Sequence, residues 1–97
     1  METTIHAEPA RRSTLATAQA VAHDFLMAAL PDVTRVDVTK VAHVDIRDVA
    51  WQAEADVWQP NPVLQSLGIE TGRPVLDHHR YLVQLDAELN VLEYEME

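Results

Sequence analysis

The chain has 97 residues, 47% of them hydrophobic, and a formal charge of −9 from sixteen carboxylates against seven Lys and Arg, which supports one acidic domain with one modest core. That balance excludes a nucleic-acid binder, whose phosphate affinity comes from clustered cations, and argues against docking on an anionic membrane. With no cysteine there is no disulfide, thiolate or Cys-zinc chemistry, and with no long apolar run or signal-peptide core the expectation is a cytoplasmic protein without membrane insertion.

Residues 1–12 (METTIHAEPARR) are polar, contain Pro9 and show no period, so they read as a flexible N-terminal arm before a single domain over 13–97. A helix is expected from Ser13, with Ser13 or Thr14 as cap. Its apolar face is Leu15, Ala18, Ala22, Phe25, Leu26 and Ala29. Pro31 disfavours helical geometry at Leu30 and should stop it there. The following segment is rich in β-branched residues, with Val36 and Val38 alternating with Arg35, Asp37 and Thr39. Val41 then falls out of step, which a bulge near Thr39 and Lys40 or an early strand end would explain. Asp45 to Asp48 (DIRD) supplies a polar connection, so a hairpin is the economical reading.

The second strand, VAWQAEADVW, alternates Val49, Trp51, Ala53, Ala55 and Val57 with Gln52, Glu54 and Asp56. Trp51 should be the central core aromatic, packed on Phe25 and Leu26. Trp58 breaks the pattern, because it falls on the parity that should face water. Either the following loop covers it or it is exposed for contact, tryptophan being enriched at binding hot spots. That loop, QPNPVLQSLGIETGRPVLD, holds three of the five prolines. Asn61 and Pro62 suit a helix start and Gly68 its end, so 62–67 is read as a short helix and 70–74 as a turn. Val63, Leu64 and Leu67, with Leu82 of the same parity, could complete a cover for Trp58; a second molecule in a symmetric dimer is the alternative. The last strands alternate as Tyr81, Val83, Leu85 and as Leu92, Tyr94, Met96 about the turn DAELN. The fold class is α+β, an N-terminal helix on a four-stranded antiparallel sheet in two layers.

Five histidines raise the question of a metal. His78 and His79 are adjacent, so on a strand they point to opposite faces and cannot chelate one ion; no metal or cofactor is expected. Glu54 and Asp56 are neighbours on one strand face, where solvation leaves nothing to separate their acidities for acid–base work. No nucleophile elbow is visible, and two glycines cannot build a phosphate-cradling loop. The expected protein is therefore not an enzyme. From Gln84 onward five carboxylates stand without a cation, either for solubility or as a surface for a basic partner. Trp58, Leu82, Glu93, Glu95 and Glu97 are the candidate partner-binding residues.

The helix, the W-x-A-E-x-D-V strand (Trp51 to Val57), the proline-containing link and the Y-x-V-x-L-D strand (Tyr81 to Asp86) resemble gas-vesicle accessory proteins of the GvpO type. The similarity covers roughly residues 14–96. It implies a non-enzymatic accessory factor that binds other gas-vesicle proteins. PepSY-type domains share the element order and the Y-x-V-x-L-D ending. The link over 59–79 is longer than that of the GvpO type, and the chain ends YEME where proteins of that type tend to end in arginine and tyrosine, so contacts of a basic tail do not carry over. A small-ligand or enzymatic domain, with a pocket between helix and sheet lined by Trp51, Tyr81 and His79, is the alternative.

Overall fold

Among the described residues one helix and four strands follow each other along the chain: α1 (Glu2–Ala29), β1 (Arg35–Ile46), β2 (Val49–Pro60), β3 (Leu76–Leu85) and β4 (Val91–Met96). The computed structural model describes residues 2–61 and 76–97, with side chains over 14–61 and 76–97. The strands form one antiparallel sheet in the order β1-β2-β3-β4. This is the expected α+β arrangement of a helix on a four-stranded sheet. The helix takes in part of 1–12, the stretch expected to be an arm, whose side chains lie outside the described residues. So do the short helix expected at 62–67 and the turn at 70–74. The ladder between β2 and β3 runs out to Pro60 opposite Leu76, beyond the strand ends expected at Trp58 and Tyr81.

The core is built from small side chains. Ala18, Ala22 and Leu26, four residues apart on one helix face, are fully buried, as are Ala53, Ala55 and Val57 of β2 and Val83 and Leu85 of β3. Alanine on both surfaces lets the helix backbone approach the sheet closely, so an alternating strand with little bulk still buries its face. The helix lies over β1 and β2. Trp51 is buried, with 6% of its surface accessible. Its aromatic contact is His43, edge-on at 4.9 Å, while Phe25 meets Tyr94 of β4 at 5.0 Å. Phe25 packs against the core cluster that contains Trp51 and also reaches β4 with its ring edge.

Register shifts at Thr39, between His43 and Ile46, and at Leu92 interrupt the ladders and reset the side-chain parity. Val38 pairs Ala55 and Lys40 pairs Glu54, leaving Thr39 as the extra residue; its hydroxyl donates to the Glu54 carbonyl at 3.3 Å. Lys40 thereby turns outward and Val41 returns to the core, opposite Ala53. In β4, Val91 pairs Leu85 and Glu93 pairs Gln84, so Leu92 is the extra residue. Val91 takes the place against the core that simple alternation assigns to Leu92, which is 46% exposed.

Among the described residues three non-glycine residues take positive φ, and all lie in connections: Asp32 (52°), Arg47 (53°) and Leu89 (65°). Leucine tolerates this region poorly, at a cost of roughly 1–2 kcal/mol. Asp86 holds Leu89 there. The Asp86 carbonyl accepts from Leu89 N–H at 3.0 Å, and its carboxylate accepts from the N–H groups of Glu88 and Asn90, both at 2.9 Å. Burial of Leu89 against the core offsets the remainder.

Two outcomes follow from this packing. Trp51→Ala should lose about 3–5 kcal/mol of stability in urea unfolding, as for other buried large aromatics. The Asn90 N–H, countered by desolvation and joined by the Asn90 amide and Glu88 N–H, holds the Asp86 carboxyl below its ordinary value of 3.8. A depressed carboxyl stabilises the fold above that value and loses its contribution as pH falls through the lower folded value. Asp86→Ala should therefore unfold at lower urea than wild type at about pH 6, and the gap should narrow at about pH 3.

Candidate functional site

The sheet face away from the helix carries every second residue of β2: Gln52, Glu54, Asp56 and Trp58. Antiparallel register converts this into cross-strand rows. Trp58 lies between Arg35 and His78, Asp56 between Asp37 and Arg80, and Glu54 between Lys40 and Leu82, with Glu95 beyond Leu82 on β4.

Trp58 is covered from both sides within its own row. The His78 ring stacks on the indole at 4.8 Å and 27°, and the Arg35 guanidinium sits 4.9 Å from the ring centroid. Asp37 anchors that guanidinium at 2.7 Å. The Trp58 carbonyl accepts from both the N–H (2.9 Å) and the hydroxyl (3.0 Å) of Thr34, and Gln59 donates to the Pro31 carbonyl at 2.9 Å. These bonds fasten the connection after α1 to the end of β2. The indole is part-buried, and a cation on one flank with an imidazole on the other suits its electron-rich faces.

Asp37 opposite Asp56 is a like-charge pair, which alone would weaken the sheet. Cations resolve it. His78 Nε2 lies 3.1 Å and Arg80 Nε 3.3 Å from Asp56 Oδ1, while Arg35 takes Asp37. Desolvation pushes the Asp56 carboxyl upward, but hydrogen bonds from His78 and Arg80 and their positive charge outweigh it, leaving the group below its ordinary value. Asp56 is thus a bridged carboxylate, its side chain 17% exposed, and not the solvated one expected from the strand pattern. Glu97 behaves oppositely. Desolvation, the Glu54 charge and a shared hydrogen bond with Glu54 raise its carboxyl; Arg80 opposes this and Glu95 adds to it.

Trp58 and Leu82 share this face, yet they do not form one cluster. Trp58 pairs His78 and Leu82 pairs Glu54, four residues further along β3, or about 13 Å at roughly 3.3 Å per residue. Leu82 instead lines a shallow hollow of about 90 Å³ with Lys40, Ala42, Gln52 and Glu54. The cover expected from Val63, Leu64 and Leu67 lies outside the described residues. Glu93 and Glu95 pair Gln84 and Leu82 at the margin of the face, and Glu97 N–H donates to the Arg80 carbonyl at 2.8 Å.

On the inner face Trp51, Tyr81 and His79 are strung along the strands and do not ring one pocket. Trp51 pairs Leu85, Tyr81 pairs Ala55 and His79 pairs Val57. His78 and His79 point to opposite faces, and His79 Nε2 lies 3.9 Å from Asp77. Asn61, expected to cap a helix, donates its amide to both Asp77 oxygens, at 3.1 and 2.9 Å. Among the described residues no group of three His, Asp or Glu converges as a metal site requires, and no helix is long and apolar enough to cross a membrane. Arg35 and Arg80 were not among the residues singled out from the sequence, and His78 was weighed only as half of an adjacent histidine pair. The role of Arg35 depends on the β1–β2 register, which bulges shift, and that of His78 and Arg80 on the unbroken β2–β3 register.

Compared with known proteins, the chain matches no family model, no curated protein and no solved structure.

With Phe replacing Trp51, Trp58 is the sole tryptophan and reports on its flanking groups. Arg35→Ala and His78→Ala should each increase acrylamide quenching of its fluorescence at unchanged protein concentration. Quenching unchanged in both variants would mean that the indole is covered by something other than its row.

Proposed function

We propose that this protein is a non-enzymatic interaction module that assembles with other proteins through the sheet face its helix leaves open. The observation that carries this reading is the Arg35–Trp58–His78 row beside the Leu82 hollow on that face. Tryptophan and arginine dominate binding energy at protein interfaces, and pre-stacked rings lose little entropy on docking. The charged groups around them are mutually neutralised in pairs, which suits holding a surface together more than transferring protons. Glu93, Glu95 and Glu97 line one margin with negative charge, which favours encounter with a basic partner. The partners implied by the sequence resemblance are gas-vesicle proteins, so the accessory role is an assembly role.

A photo-crosslinking residue placed at Leu82, or at Met27 on the exposed side of the helix, tests this against purified gas-vesicle shell and accessory proteins. Crosslinks from position 82 and not from 27 are expected, and Trp58→Ala should weaken binding about ten-fold. Crosslinks from the helix alone, or none with any of these proteins, would overturn the assignment.

A further inference from the structure

The two edges of the sheet differ in how they are protected. β1 is bulged at Thr39, carries Lys40 and lies under the helix, all devices that discourage another strand from pairing. β4 has its bulge at its start, at Leu92, and from Glu93 to Met96 its register is unbroken, with no lysine or proline; every residue from Leu92 to Met96 is exposed.

Register shows where the unpaired backbone groups of β4 point. Glu97 N–H donates to the Arg80 carbonyl, so Arg80 and Glu97 form a hydrogen-bonded pair. In an antiparallel ladder such pairs alternate. Glu95 with Leu82 and Glu93 with Gln84 are therefore the other bonded pairs, and Tyr94 and Met96 turn their N–H and C=O groups to the open edge. The side chains of these two residues are 41% and 54% exposed, and they lie on the helix side of the sheet, where Phe25 reaches Tyr94. Glu93, Glu95 and Glu97 occupy the opposite side.

We infer that the open edge of β4 receives an extended segment of a partner protein whose residues alternate between apolar and Lys or Arg, adding a fifth strand. Its apolar side chains continue the Tyr94–Met96 row beside Phe25, and its cations lie beside the three glutamates. Main-chain bonds supply affinity and the alternation supplies specificity. A second copy of this chain is disfavoured at neutral pH, because its own glutamates would stand against these. The crowding that raises the Glu97 carboxyl is relieved by such cations. This inference rests on reading the chain as an interaction module.

The probe is a synthetic peptide, Lys-Val-Arg-Val-Lys-Ile-Arg, against a control of equal composition with its cations grouped, Lys-Arg-Lys-Arg-Val-Val-Ile. The alternating peptide should bind the intact protein and slow amide exchange at Tyr94 and Met96; the grouped one should bind about ten-fold more weakly. Met96→Pro removes an outward donor without breaking a β3–β4 bond, and should weaken binding by about ten-fold. Should that variant not fold, N-methylation of the peptide nitrogens that face β4 tests the same bonds on the unaltered protein. Equal binding of the two peptides would overturn the inference in favour of plain charge attraction. So would protection appearing on β1, affinity indifferent to Met96→Pro and to N-methylation, or a wild-type dimer that Met96→Pro dissociates. Failure of the peptide while crosslinks from position 82 persist sinks the edge alone and leaves the interaction reading standing.

Discussion

A helix with its side chains is about 10 Å across, and neighbouring strands lie about 4.8 Å apart, so one helix roofs about two strands. Among the described residues one helix serves a four-stranded sheet. The helix lies over β1 and β2, and the fully buried side chains fall in β2, in the adjoining part of β3 and on the helix itself. Strand β4 stays at the periphery, where Phe25 reaches Tyr94 and Tyr94 in turn lies 6.4 Å from Tyr81. The exposure of Tyr94 and Met96 follows from that peripheral position, and that of Leu92 from the bulge that gives Val91 its place against the core.

The same shortage leaves the outer face to solve its own problems. A tryptophan on a polar face and two facing aspartates would each be unfavourable alone. Together with Arg35, His78 and Arg80 they form one connected set, in which Arg35 serves Asp37 and the indole at once and His78 serves Asp56 and the other side of the indole. Charge-assisted contacts on a partly solvated surface contribute modestly to stability, so the set matters more as a pre-shaped surface than as a source of fold energy.

Much of the architecture was legible because it depends on local periodicity. The helix ends before Pro31, the DAELN turn closes on Asp86, and a bulge near Thr39 follows from Val41 being out of step. The bulge at Leu92 was not legible, since Leu92, Tyr94 and Met96 alternate without a flaw; only the demand that Val91 fill the core opposite Leu85 reveals it. Trp58 was legible as an anomaly but not as a solution. Its neighbours come from strands that lie 23 residues before it and 20 after it, at Arg35 and His78.

By itself the sequence determined the order and type of the described elements, and which side of β2 and β3 is apolar, because backbone geometry repeats every 2 or 3.6 residues and every side chain inherits that period. It also determined the acidic character of β4. The tertiary structure alone decided which side chains of different strands share a row, that Trp58 and Leu82 stand apart, that Phe25 turns to Tyr94, and which edge remains open. Those outcomes depend on register and on helix placement, which are set by packing between segments distant in the chain and leave no local period to read.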